Sequence, residues 1–160
     1  MGTPDGILSE DWDHVHELAL AIVNAAPGAE KERERQRLFD CLDELGTKYG
    51  ERPSLLATRA DYQSDRRAAE RLFRRAYQLA QDSADVTNRL FVAHSLASLF
   101  IEDLRYADEG ATWLRRLNEI FTELGESLRE IDEDGSFVED YRRLVRGLMR
   151  LSGEKSEGEG

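Results

Sequence analysis

Residues 11–17 read DWDHVHE, the densest run of groups able to hold a metal ion or move a proton. His14 and His16 stand two apart, so on a helix they point to nearly opposite sides and cannot share one ion. A helical zinc pair needs His at i and i+4. Asp13 with His16 or Glu17 makes a weak site at most, and acidic residues in a first helical turn are favoured by the macrodipole without any metal. A di-iron bundle needs paired E-x-x-H motifs, and none occurs. His94 has no second His nearby in sequence. Cys41 falls on the apolar face of a helix, where a thiol is inert. IDEDGS, at 131–136, lacks the alternating ligands and terminal Glu of a calcium loop and reads as a solvated turn. No phosphate-cradling Gly loop and no nucleophile elbow occurs. The expectation is a protein without catalytic residues, metal or cofactor. The enzyme alternative, a metal- or small-molecule-dependent helical bundle, requires Asp13, His16 and His94 to converge.

The whole-chain composition narrows the partners. The formal charge is −11 over 160 residues. Such a chain repels nucleic-acid phosphates and anionic lipid, so neither is an expected partner, whereas basic partners are drawn in at long range. Lys occurs only at 31, 48 and 155, and the other basic residues are Arg, which suits bidentate pairing with surface carboxylates. The lone Cys41 rules out an internal disulfide and fits a reducing compartment. MGTPDG has neither a basic nor an apolar leader region. LALAIV, at 18–23, is too short to span a bilayer, and Gly6 stands where an N-acylation motif wants Ser or Thr. A cytoplasmic location is expected.

The elements that must position any site are helical. Pro occurs only at 4, 27 and 53, leaving long uninterrupted segments. Apolar spacing predicts helices over about 9–25, with Ser9 as cap, then 29–45, 52–62, 65–81, 85–104, 107–128 and 137–151. Residues 1–8 are expected to form a flexible arm, 9–151 one domain, and 152–160 a polar, Gly-rich tail without fixed structure. Short breaks imply antiparallel neighbours, hence helical hairpins. A four-helix bundle with extra helices has the same periodicity.

Internal similarity separates these architectures. AAERLFRRAYQLAQD, at 68–82, resembles the second helix of a tetratricopeptide repeat. Ala69, Phe73 and Ala76 take its small–large–small positions, where small residues let helices approach and the large one fills the space between. Twelve residues upstream, Ala57 takes the small position of the first helix. Upstream, Ala19, Leu38 and Cys41 repeat the pattern, with Glu34 where Ala69 stands. Downstream, Ala97, Gly110, Leu114 and Leu117 repeat it, with one extra residue assigned to the hairpin turn. The first-helix positions recur at 38 and 40 residues (19 to 57, then 57 to 97), longer than the typical ~34 of the family. LDELGTKY, at 42–49, has the L-G-x-x-Y spacing of a repeat start. Taking Gly46 as the small residue, however, puts Asp65 at a packed position, a costly burial. Gly46 is therefore expected to stop a helix in a left-handed cap.

The resemblance implies an all-α fold of antiparallel hairpins stacked as a short right-handed superhelix with a C-terminal capping helix. It also implies a non-enzymatic protein-interaction module, an adaptor or regulator, whose first helices line a concave groove. Carried onto this chain, the groove comprises Asp13, His16, Leu20, Val23 and Asn24, then Ser54, Thr58, Asp61 and Tyr62, then Phe91, His94, Ser98, Ile101 and Glu102. Its mixture of apolar and acidic groups implies a basic or amphipathic peptide or protein segment as ligand. The same residues would also suit packing against a second copy, in a homodimer or a purely structural homo-oligomer.

Overall fold

The computed structural model describes the backbone of residues 2–158 and the side chains of residues 2–154. Every regular element among them is helical. In chain order they are α1 (Ser9–Asn24), α2 (Ala29–Tyr49), α3 (Pro53–Asp61), α4 (Arg66–Asp82), α5 (Val86–Ser98), α6 (Ala107–Leu124), α7 (Leu128–Ile131) and α8 (Ser136–Gly158). A π-helical turn, Leu99–Asp103, prolongs α5, and a 3₁₀ turn, Gly125–Ser127, joins α6 to α7. No helix among the described residues is long and apolar enough to cross a membrane.

Several helix ends follow from single side chains. Asp65 caps α4, accepting from the backbone N–H groups of Arg67 and Ala68 at 3.0 and 3.3 Å. Asp85 caps α5 by accepting from Asn88 N–H at 3.0 Å. Pro53 occupies the first turn of α3, where its missing N–H costs nothing. At α1 the cap position belongs to Leu8, and Ser9 is the first helical residue. IDEDGS is more than a solvated turn. Asp132 is buried and caps α8, accepting from Phe137 and Val138 N–H at 3.0 and 3.3 Å.

Gly46 does not stop α2. The helix passes through it and ends at Gly50, whose φ of +80° is the conformation a chain reversal needs and other residues avoid. The extra turn is held from outside. Tyr49 Oη donates to Asp11 Oδ2 at 2.5 Å, and Lys48 Nζ reaches the same oxygen at 2.8 Å. These bonds tie the last turn of α2 to the first turn of α1. LDELGTKY is thus the end of a helix and begins no repeat.

The helices pair as α1 with α2, α3 with α4, and α5 with α6, while α4 also packs along α5. This packing is consistent with a helical repeat. Ala69, Phe73 and Ala76 are all buried in the main core, as is Ala97. Gly110 marks an even closer approach: a Cβ there would sit 2.6 Å from Ile101 Cγ1. The extra residue of the third hairpin lies in the helix, not in the turn. In the π turn Leu104 N–H bonds to Leu99 C=O, one residue further back than in an α-helix, so the turn accommodates one extra residue.

Both chain ends differ from expectation. Residues 3–8 fold back on the first hairpins: Ile7 is buried, and Asp5 accepts from Ser54 N–H and Oγ–H at 2.7 and 2.9 Å. This carboxylate sits at the N-terminus of α3, where it is electrostatically favoured. At the other end α8 runs on through Gly158, beyond the expected stop at Leu151. The rest of the tail, residues 159 and 160, lies outside the described residues.

Candidate binding groove

Three helices contribute to one pocket of about 340 Å³: Trp12 from α1, Ser54, Ala57, Thr58 and Asp61 from α3, and Asn88, Phe91 and Ser95 from α5. The N-terminal turn, Gly2–Pro4, forms part of its wall. The sequence-expected residues Thr58, Asp61 and Phe91 meet here. Thr58 and Asp61 share a face because they lie three apart on α3. Phe91 follows Asn88 by the same interval, and Asp85 fixes that turn by also accepting from Asn88 Nδ2 at 2.6 Å.

The pocket mixes ring surface with small polar groups and one carboxylate. Trp12 and Phe91 supply ring surface, Ala57 leaves room, and Thr58 keeps its hydroxyl on Ser54 C=O at 2.8 Å. Asp61 retains solvent contact, yet the protein around it pushes its carboxyl up, to about 6, against the opposing pull of Arg66. Asp61 is nonetheless exposed, so water shares in solvating its charge, and a cation brought to it would return its pKa toward the ordinary range.

His16, Leu20 and Asn24 extend the surface along α1. All are exposed, and Trp12 meets His16 edge-on at 5.4 Å between ring centroids. Val23 and Leu20 are among the most exposed large apolar residues, at 66% and 60%. The stripe 12, 16, 20, 24 is one helical face.

Other expected groove residues are engaged elsewhere. Tyr62 caps the end of α3 and packs on the core of the first hairpin, outside the pocket. Burial, then the neighbouring Asp61, pushes its hydroxyl pKa up. Ile101 is core, buried beneath Gly110 and Gly147. His94, Ser98 and Glu102 run from the pocket toward α8. His94 Nε2 lies 3.2 Å from Asp140 Oδ2, and its pKa is lowered because burial outweighs the pull of Asp140. Ser98 Oγ–H donates to Glu102 Oε1 at 2.7 Å, and Arg143 donates to the same oxygen at 3.2 Å. Phe137 stacks on Phe91 with centroids 5.4 Å apart. The α8 helix therefore closes this end of the groove.

His94 pairs with Asp140, while Asp13 and His16 are exposed on α1. Among the described residues no group of three or more His, Cys, Asp or Glu is placed to hold a metal ion. Cys41 is buried, and burial raises its thiol pKa, away from the reactive thiolate. Asn88 and Ser95, on the face of α5 that carries Phe91, are not among the expected groove residues, nor are Trp12, Ala57 and the turn Gly2–Pro4. Trp12 shares the helical spacing of Val15 and Ile22, and it also stands i, i+4, i+8 to His16 and Leu20. No protein family, curated protein or solved structure matches this chain.

Proposed function

We propose that this chain is a non-enzymatic interaction module, a degenerate superhelix of the tetratricopeptide kind, acting in the cytoplasm. It binds an extended or helical segment of a partner protein in the groove of α1, α3 and α5. The observation that carries this reading is the convergence of Trp12, Asp61 and Phe91 from three successive first helices on one pocket. Aromatic residues in a recess are the usual centres of interface energy. The ligand that fits is an apolar side chain for Trp12 and Phe91 beside a Lys or Arg for Asp61. The acidic balance of the chain steers such a segment in. Leu20 and Val23 give it a second apolar contact along α1.

The test is affinity capture from the native host with the wild-type chain and a Phe91→Ala variant, followed by direct titration of the recovered partner. Phe91→Ala is expected to weaken binding by about 2 kcal/mol or more. Tyr62→Ala should lower the melting temperature instead, because its ring belongs to the first core. Asp61→Asn should chiefly slow association and flatten the salt dependence. If Phe91→Ala binds as wild type while Arg71→Ala, on α4, abolishes binding, the groove is not the site.

A further inference from the structure

In a chain of charge −11, one recess gathers cations. It lies between α4 and α6, has a volume of about 380 Å³, and is lined by Arg74, Arg89, Arg116, Gln81, Tyr77 and Trp113, with Glu119 as its carboxylate. It shares no residue with the groove pocket.

Two donors on residues that line it are buried beneath its surface and have no acceptor. Trp113 is 2% exposed, and its indole N–H is unpaired. Arg89 donates to Glu123 through Nη2 at 2.7 Å, but its Nε–H is buried without a partner. A buried donor left in this state has lost its water and gained nothing in return, and few native groups are so left. Arg116 completes the set. Its guanidinium lies 4.5 Å from the Trp113 ring centroid and 5.7 Å from that of Tyr77, and no carboxylate pairs with it among the described residues. Arg74 differs, since Glu70 and Glu109 both hold it.

We propose that this recess is an anion site that takes a phosphoryl group. The recess is lined by the Arg116 guanidinium, which no carboxylate holds, and the Gln81 amide, beside the carboxylate-paired Arg74 and Arg89. A carboxylate offers two oxygens to this set, whereas a phosphoryl group offers three and carries more charge. Arg116 supplies the free positive charge and a planar fork suited to two of those oxygens. Its stacking on Trp113 and Tyr77 pre-orders that fork, so little freedom is lost on binding. The phosphoryl group comes either free, as a small phosphate, or on a side chain of a partner protein.

The two tryptophans, Trp12 and Trp113, give two indole N–H resonances, and Trp12→Phe assigns them. Inorganic phosphate is titrated into the folded chain, with chloride holding ionic strength constant. The expected result is a saturable shift of the Trp113 resonance while that of Trp12 stays still. Arg116→Gln should weaken the apparent affinity roughly tenfold or more, the worth of a charge-assisted hydrogen bond, with the remaining spectrum preserved. A short phosphoserine peptide and its unphosphorylated twin distinguish the sources. Tighter binding of the phosphopeptide than of phosphate assigns the group to a partner, and equal binding assigns it to a free phosphate. A Trp113 resonance that does not move, or that moves linearly and equally with sodium chloride, overturns the proposal without any variant. Arg116→Gln that folds and binds phosphate as wild type overturns it as well.

Discussion

The first hairpin and the helices that follow it are held together by different means. The core of α1 and α2 is aliphatic: Val15, Leu18, Ile22, Leu38, Leu42 and Leu45, with Cys41 among them. From α3 onward small and large residues alternate, with Ala69, Ala76, Ala93 and Ala97 set against Phe73, Tyr77, Phe100 and Trp113. Small residues let backbones approach, and rings then fill the remaining volume to crystal-like density. The first hairpin cannot do this, since Glu34 stands where α4 has Ala69. Instead it is stapled at its ends by polar bonds from Tyr49 and Lys48 to Asp11, while Asp5 ties the N-terminal arm to Ser54 of α3. The short α3 belongs to both regions, giving Leu55 to the first core and Ala60 to the second. Antiparallel helix pairs of one chain are therefore held by close packing in one place and by end-stapling in another.

The largest effect that sharpens this contrast comes from one change made twice. Ala69→Leu should overpack α4 and cost about 1–3 kcal/mol. Glu34→Leu, at the equivalent position of α2, should fall within about 0.5 kcal/mol of wild type. Glu34 is only partly buried, and its ion pair with Arg37 is a surface pair of small worth. Urea denaturation of both variants measures the difference. Equal losses would show that the first hairpin is as tightly packed as the second, and the contrast would fall.

A smaller effect separates the two glycines at the end of α2. Gly46 is helical, and a Cβ there meets nothing within 4 Å. Gly46→Ala should stabilise by about 1 kcal/mol through helix propensity. Gly50, at φ +80°, should lose roughly that much on the same substitution, from the backbone alone. Thermal melts of the two variants should therefore move in opposite directions. A destabilised Gly46→Ala would mean that α2 ends earlier than Tyr49.

What was legible in the sequence divides along the same boundary. Ala69, Phe73 and Ala76 announced the second hairpin because its packing depends on local residue size at helical spacing. The helix starts expected at 65 and 85 fall on the two Asp residues that cap α4 and α5, an equally local relation. Thr58, Asp61 and Phe91 followed from that register and do meet in one pocket. The staples were not legible. Asp5 finds Ser54 across 49 residues, and Asp11 finds Tyr49 across 38; no local pattern announces such pairs. Gly46 was misread for this reason, since the bond that carries the helix past it comes from α1. The π turn was visible only as a surplus residue. The docking of Phe137 and Asp140 on Phe91 and His94 depends on how the chain closes after α7, which the spacing of apolar residues along α8 does not encode.

The smallest predicted effect concerns pH, and it has opposite signs in the two regions. Asp11 is held below the usual carboxylate range, first by the hydrogen bond from Lys48 and then by that from Tyr49. A depressed acid binds protons less readily folded than unfolded. Its contribution is therefore present above the unfolded value of 3.8 and is lost as pH falls through the folded value. Asp61 behaves in reverse, its carboxyl being raised from 3.8 to about 6. Between those values the folded chain binds more protons than the unfolded one, so this group lowers stability as pH rises through the window. Carboxyl NMR titration should show Asp61 with an inflection near 6 and Asp11 with one below 3.8. Asp61→Asn should remove the loss between pH 4 and 6, while Asp11→Asn should weaken the hairpin at neutral pH and leave it unchanged at low pH. Loss of the Asp61 inflection on binding would follow if the ligand brings a cation to that carboxylate, because an adjacent positive charge returns its pKa toward the ordinary range. An Asp61 that titrates near 4 in the free chain would show that the groove does not perturb this exposed carboxylate, leaving only the acidic balance of the chain to favour a basic ligand there.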